Sequence, residues 1–167
     1  PGIMQKPPRK KSERLINLNL FLRSYLFLGI IETALCMAAY YFVYITHGWR
    51  PGMEMDSSGE IYKMATTMSL AGIVAAQIGN VFCCRTHEAS LFSVGIFSNK
   101  FVILGIATEI TLILVLIYTP FFQNVFGLVP LGINEWLFLS LFGMIILSME
   151  EMRKWILRKK KSVKTAD

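Results

Sequence analysis

The sequence is poor in charged residues and has few cysteines. Charged side chains make up 17% of its 167 residues, and only 3 residues are cysteines. Cys36, Cys83 and Cys84 form no Cys-x-x-Cys pair, so the chain shows no disulfide framework and no thiolate metal motif. It also has no Gly-rich phosphate loop and no His-x-x-x-His pair. We therefore expect no soluble catalytic domain in this chain, and we assign no catalytic residue and no firm metal ligand.

Long apolar segments fill most of the sequence, in which 54% of the residues are hydrophobic. A helix needs roughly 20 apolar residues to cross a bilayer. Glu32 is the one charge in the first segment, the second has none, and Glu109 interrupts the third. The fourth is the weakest, because only the residues between Glu135 and Glu150 are free of charge. The pattern predicts an all-α membrane protein, an antiparallel bundle of four transmembrane helices with spans at about 25-45, 64-84, 101-118 and 133-152.

Basic residues gather at the two ends of the chain. Six Lys and Arg residues precede the first span, and seven follow the last, from Arg153 to Lys164. The positive-inside rule then predicts two cytoplasmic termini. We divide the chain into a basic cytoplasmic connector and helix lead-in at 1-24, a transmembrane domain at 25-157 and a basic cytoplasmic tail at 158-167. We expect an integral multi-pass protein of the cell membrane whose basic ends contact the lipid bilayer and not nucleic acid.

Four polar side chains lie inside the predicted spans, where an ionisable or amide group is costly. They are Glu32 in the first span, Gln77 and Asn80 in the second, and Glu109 in the third. Carboxylate and amide oxygens are the ligands that hard cations prefer. These four residues are therefore our cation-binding candidates. The same residues are also suited to hydrogen bonding between helices, and this alternative stays open at the level of sequence.

The remaining pattern predicts how the helices pack. A stripe of small residues on the second span, and Gly105 on the third, predict close helix crossings. Pro120 and Pro130 are expected in the loop before the last span. We expect Leu114, Ile117 and Phe138 to face lipid. The acidic and basic residues at 150–154 are spaced for i to i+3 and i to i+4 pairs, and we expect them to lie at a solvated helix end. The stripe consists of Ala65, Ser69, Gly72, Ala76 and Gly79.

Several motifs along the chain resemble those of one family of membrane pumps, in the same order. Together they are similar to the C-terminal membrane region, the seventh to tenth helices, of a cation-transporting P-type ATPase of the calcium, sodium/potassium and proton/potassium pump group. The resemblance covers nearly the whole chain. The motifs are Met-x-x-Pro-Pro-Arg at Met4 to Arg9, LRSYLFLGIIE from Leu22 to Glu32, Gln77 with Asn80, Cys84-Arg85-Thr86, Ser90 with Phe92, Asn99 with Lys100, Gly105 with Glu109, and Trp136 with Glu150 to Lys154.

The resemblance implies a parent protein that couples ATP hydrolysis, through a phosphorylated aspartate, to cation movement. ATP and Mg²⁺ would be bound by that parent, whose first six transmembrane helices and cytoplasmic domains would be the partners of this region. The fragment alone carries no phosphorylation motif and is not expected to be an enzyme. Because the chain opens at Pro1, inside a family connector, we expect it to be a piece of a longer polypeptide.

Two positions depart from the family pattern. Asn80 stands where sodium/potassium pumps have an acid, and Glu32 stands where they carry an amide. Glu32 could restore, from the adjacent helix, the charge that Asn80 lacks. The cation itself is not identified by this segment. Two other functions remain as alternatives, a self-contained four-helix proton-coupled transporter and a non-transporting membrane scaffold.

Overall fold

A computed structural model describes residues 18–55, 57–85, 90–95 and 97–164. These residues form helices joined by turns, and no strand occurs among them. Four helical segments are long and apolar enough to cross a membrane: Leu22–Thr46, Glu60–Cys84, Lys100–Tyr118 and Ile133–Lys159. The predicted fold class is confirmed. The elements are α1 (Leu18–Phe21), a π-helix (Leu22–Leu28), α2 (Gly29–Thr46), α3 (Glu60–Cys84), α4 (Leu91–Val94), α5 (Lys100–Tyr118), α6 (Pro120–Phe126) and α7 (Ile133–Lys164).

The two predicted basic ends are only partly described. Residues 1–17 of the connector, with the motif at Met4 to Arg9, lie outside the described residues, as do Thr86 and residues 165–167 of the tail. The described part of the lead-in is already helical from Leu18, and α7 continues through Lys164. The division into connector, membrane domain and tail stays a prediction.

Local sequence signals fix the ends of α5 and α6. The Asn99 side chain accepts hydrogen bonds from the backbone N–H groups of Phe101 and Val102, at 3.0 and 3.4 Å, and so caps α5. Pro120 occupies the start of α6, where its missing N–H costs nothing. Gly127 ends α6 with a φ of 66°, a conformation that favours glycine. Pro120 and Pro130 both lie between α5 and α7, as predicted.

The helix α3 is the centre of the bundle, since it packs extensively against both α2 and α7. It runs antiparallel to α2 and parallel to α7. Buried apolar side chains such as Ala39, Met68 and Phe142 fill the space between the three helices. Because α5 contacts mainly α3 among the other long helices, most of its surface is exposed. The structure is a three-helix core with a peripheral fourth helix.

Two of the three expected lipid-facing residues are not exposed. Ile117 is fully buried, because it lies on the side of α5 that packs against α3. Phe138 is half-buried and stacks on Phe42, with ring centroids 4.2 Å apart. Leu114 is exposed. The prediction was wrong for Ile117 and Phe138 because α5 and α7 are apolar on several faces, so apolar character alone does not identify the exposed one.

The small-residue stripe of α3 lies at a close helix crossing, as predicted. A Cβ atom added to Gly79 would lie 3.1 Å from the Cα and the carbonyl oxygen of Gly143 on α7. A Cβ on Gly72 would lie 3.1 Å from the Phe142 ring. The prediction for Gly105 was wrong. No described atom lies within 4 Å of the Cβ position of Gly105, because its face of α5 points away from α3.

Candidate functional site

The Glu32 carboxylate meets two amide side chains of α3. Asn80 Nδ2 donates a hydrogen bond to Glu32 Oε2 at 2.8 Å, and Gln77 Nε2 donates to Glu32 Oε1 at 3.3 Å. Gln77 and Asn80 are three residues apart, which places them one above the other on one face of a helix. The antiparallel packing of α2 on α3 then brings the carboxylate opposite both of them. Three of the four candidate residues therefore form one cluster.

The cluster lies at the edge of the bundle. Glu32 and Asn80 are half-buried, while Gln77 is exposed. Next to Glu32 is an open groove, lined by residues of α2 and one of α3, which gives access to the carboxylate. Farther along the same helix pair, Ser69 Oγ donates to the carbonyl oxygen of Cys36 at 3.2 Å and joins the two helices a second time. The groove is lined by Gly29, Glu32, Thr33, Cys36, Met37 and Ile73.

One polar atom of the cluster is unsatisfied. Asn80 Oδ1 is buried and accepts no hydrogen bond from the described residues. A buried acceptor without a donor is uncommon and costly. Rotation of the Asn80 amide would turn this oxygen toward the Glu32 carboxylate, and the two groups would then offer oxygen ligands to a cation. The described residues hold no group of three His, Cys, Asp or Glu side chains that could bind a metal, and Glu32 is the one carboxyl group in this hydrogen-bonded cluster.

Glu109 is not part of this cluster. It lies on α5, half-buried, and its carboxylate makes no hydrogen bond or ion pair among the described residues. The neighbouring Thr108 hydroxyl donates to the carbonyl oxygen of Leu104 in its own helix, at 2.9 Å. Among the described residues, Glu109 therefore makes no hydrogen bond with the other three candidates.

A second cluster of charges joins the π-helix to the middle of α7. The Glu150 carboxylate is 1% exposed and pairs with Arg23 of the π-helix and with Arg153, 2.7 Å away. Arg23 also donates to the carbonyl oxygen of Cys83 at 3.1 Å. Lys154 is fully buried and lies 3.5 Å from Glu151. The network holds three cationic and two anionic groups.

This network corrects the prediction of a solvated helix end. The expected i to i+3 and i to i+4 pairs are present, from Glu150 to Arg153 and to Lys154. The solvation was wrong for Glu150 and Lys154, which are buried, whereas Glu151 and Arg153 are half-buried. Arg23 pairs with Glu150 and makes no ion pair with Glu32, the acid nearest to it in the described sequence. A buried arginine requires an acidic partner, so Arg23 was a signal of this network, but the sequence did not identify which acid it meets.

Four helices of spanning length, with carboxylates and amides meeting between them, define a multi-pass integral membrane protein. Residues 1–156 match the family model described as "Cation transporting ATPase, C-terminus". The chain belongs to this family, the C-terminal region of cation-transporting ATPases, and the predicted resemblance is confirmed.

Curated relatives agree with the family match. The chain is 30% identical over 161 residues to "Calcium-transporting ATPase 1" of Saccharomyces cerevisiae, which covers 95% of this chain and 15% of that protein. It is 28% identical to "Potassium-transporting ATPase alpha chain 1" of Xenopus laevis, over 89% of this chain and 17% of that protein. It is 29% identical to "Calcium-transporting ATPase 1" of Yarrowia lipolytica, over 95% of this chain and 16% of that protein. The chain thus spans 15% to 17% of the length of these relatives.

Proposed function

We propose that this chain is the C-terminal membrane domain of an ATP-driven cation pump, and that Glu32, Gln77 and Asn80 contribute to its cation path. The contact between the Glu32 carboxylate and Asn80, whose Oδ1 atom is buried without a donor, carries the proposal. ATP and Mg²⁺ act in the rest of the pump, and no catalytic residue lies in this chain. A self-contained proton-coupled transporter and a membrane scaffold are not favoured, because the family match extends over residues 1–156.

The contact between Glu32 and Asn80 also bears on the departure from the family pattern. The acid expected at position 80 is absent, but a carboxylate from α2 lies 2.8 Å from the amide that replaces it. In the proposal, Glu32 supplies from the adjacent helix the carboxyl group that position 80 lacks. In water-poor surroundings one carboxylate with two amides is suited to a cation of low charge or to a proton. The relatives include pumps named for calcium and for potassium, so both ions need measurement.

Glu109 forms a second, separate candidate in this proposal. A half-buried carboxylate on a helix of spanning length has to be protonated or paired, and the described residues supply no partner for it. In the proposal the transported cation supplies the partner. The pump is oriented with both ends of this chain on the cytoplasmic side of the cell membrane, in contact with the bilayer, with the first six helices and with the cytoplasmic domains.

The test is ATP-dependent cation uptake by vesicles that contain the full-length pump, measured with calcium, sodium and potassium. We expect Glu32→Gln and Asn80→Ala to weaken apparent affinity about 10- to 100-fold, the loss of a contact to a charged group. Glu109→Gln is assayed alongside them. Thr66→Val is the matched control, because Thr66 lies on the same helix as Asn80 but far from the cluster, and its hydroxyl bonds to its own helix at Lys63. Unchanged affinity in both Glu32 and Asn80 variants would overturn the proposal.

Asn80→Asp separates a cation site from simple hydrogen bonding between helices. It places a second carboxylate against Glu32, and two carboxylates in contact need a shared proton or a cation. If the cluster binds a cation, the transported ion raises the thermal stability of this variant more than that of the wild type. If the cluster only joins two helices, Asn80→Asp lowers stability equally with and without the ion.

A further inference from the structure

The helix that carries Glu32 begins with a π-helix, Leu22–Leu28. Its hydrogen bonds skip one residue more than those of an α-helix, as in the bond from the Gly29 N–H to the Ser24 carbonyl oxygen. π-helical segments are rare, because their hydrogen-bond geometry is less favourable than that of an α-helix. Those that do occur are frequently found at functional sites. This segment separates two charged residues of one helix, Arg23 and Glu32.

The π-helix determines which way those two residues face. In a regular α-helix, nine residues correspond to about 900° of rotation, two and a half turns, so Arg23 and Glu32 would lie on opposite faces. In the structure the side chains of both residues reach α3. Arg23 donates to the Cys83 carbonyl oxygen near the end of α3, and Glu32 accepts from Asn80 on the same helix. Each residue of a π-helix rotates the chain less than an α-helical residue does, so the π-helix brings Arg23 and Glu32 closer to one face of the helix.

Arg23 is the fixed end of this segment. Its side chain is 9% exposed and bonds both to Glu150 of α7 and to α3. Its Nε atom is buried without a partner among the described residues, which is a cost that the network around Glu150 has to offset. Among the other π-helix side chains, Tyr25 and Leu26 are exposed, and Leu28 packs with Ala76, Cys83 and Ile146 through apolar contacts that do not depend on one exact rotation.

We infer that Arg23 is a positioning residue for the Glu32 cluster. Its ion pair with Glu150 fixes the π-helix against α3 and α7, and the π-helix sets the rotation at which Glu32 meets Asn80. This inference rests on the proposed function in one respect, that the Glu32 cluster takes part in cation binding. The position of Glu32 relative to Asn80 is a structural quantity that is measured independently of transport.

The experiment compares Arg23→Met, Arg23→Lys and the double variant Arg23→Met with Glu150→Gln in the full-length pump. The double variant leaves no unpaired carboxylate at position 150, so it guards against simple unfolding. Position is read by joining Glu32→Cys to Asn80→Cys with a short thiol-specific cross-linker, in a background without other cysteines. Function is read as apparent cation affinity and maximal ATPase rate, in the same Arg23 and Glu150 variants but with Glu32 and Asn80 intact.

We expect the cross-link to fall at least fivefold in Arg23→Met and in the double variant, and to recover in Arg23→Lys. Apparent cation affinity should fall about 10- to 100-fold with maximal rate less affected, as when a group that orients a ligand is lost. Thr67→Val, a change of a buried polar residue at the other end of α3, should leave the cross-link and the affinity unchanged.

The outcomes separate the two proposals. A cross-link that stays at wild-type yield in the folded double variant overturns the positioning role, whatever transport does. A cross-link that falls while cation affinity stays unchanged supports the positioning role and overturns the proposed participation of the Glu32 cluster in cation binding. Loss of both, with recovery in Arg23→Lys, supports both proposals.

Discussion

Two glycines of this chain provide a direct test of how the helices pack. Gly79 on α3 and Gly105 on α5 are both helical, and in each case alanine is the smallest possible change. At Gly79 the added Cβ would lie 3.1 Å from backbone atoms of Gly143 and 3.2 Å from the Ile146 Cβ. At Gly105 it would meet no described atom within 4 Å. The same substitution therefore enters a tight helix crossing at one position and open space at the other.

The magnitude follows from these distances. Carbon atoms prefer separations of about 3.5–4.0 Å, so Gly79→Ala requires α3 and α7 to separate by several tenths of an ångström. Because two of the three close contacts are backbone atoms of Gly143, no side chain can rotate away. Overpacking of this kind costs about 1–3 kcal/mol. Both variants gain the same helix propensity over glycine, up to about 1 kcal/mol, so the difference between them isolates the packing cost.

The assay is thermal denaturation of the full-length protein in detergent, followed by the fraction that remains monodisperse on size-exclusion chromatography. Gly79→Ala should unfold at a lower temperature than the wild type, and Gly79→Leu lower still. Gly105→Ala should match the wild type or exceed it. Equal midpoints for Gly79→Ala and Gly105→Ala would refute the close crossing between α3 and α7.

Three further substitutions test the turns that close the bundle. Thr67→Val removes the buried hydroxyl that accepts from the Val129 N–H at 3.1 Å, and should cost about 1–3 kcal/mol in the same thermal assay. Asn99→Ala removes the side-chain cap of α5 and should lower the free energy of unfolding by about 1 kcal/mol, whereas Asn99→Asp keeps the cap. Faster proteolysis at the start of α5 in Asn99→Ala than in Asn99→Asp would show that the cap is lost. Tyr118→Phe removes the acceptor of the Trp136 indole N–H at 2.8 Å and should change tryptophan fluorescence; an unchanged spectrum would contradict this contact.

The fold was predictable because it depends on local composition. A run of about 20 apolar residues has few structures available in a membrane other than a helix, and the four runs of this chain are visible without any knowledge of their neighbours. Caps such as Asn99 are local as well. The helix ends extend beyond the apolar runs, as in α7, which continues through Lys164, because charged residues can continue the backbone hydrogen bonding of a helix.

The candidate site was predictable only in part. The spacing of Gln77 and Asn80 placed both on one face of α3, and the cost of Glu32 in an apolar segment marked it as important. Their contact depends on the rotation of α2, and this rotation depends on a π-helix whose sequence, Leu22–Leu28, carries no distinctive signal. The local pattern therefore predicted which residues belong to the cluster but not that Glu32 contacts Gln77 and Asn80.

Burial was the least predictable property, because it depends on distant partners. Gly79 and Gly105 are the same residue in similar apolar surroundings, yet only the first has a facing glycine, Gly143, far away in the chain. Glu150 has the local pattern of a solvated helix end and is buried by Arg23, 127 residues earlier. The sequence indicates what kind of partner a side chain needs, such as a small residue or an opposite charge. Only the tertiary structure shows which residue is that partner.

The ion pair between Arg23 and Glu150 is better explained by orientation than by stability. A buried pair gains little over well-packed apolar residues of similar size, because both charges lose their hydration. Apolar residues at these positions, however, would let the π-helix rotate among many similar contacts with α3 and α7. A charged residue has few alternative positions, because separating a buried arginine from its carboxylate partner destabilises the folded protein by about 3–5 kcal/mol. The pair thus selects one rotation of the helix, and that rotation is the one that turns Glu32 toward Asn80.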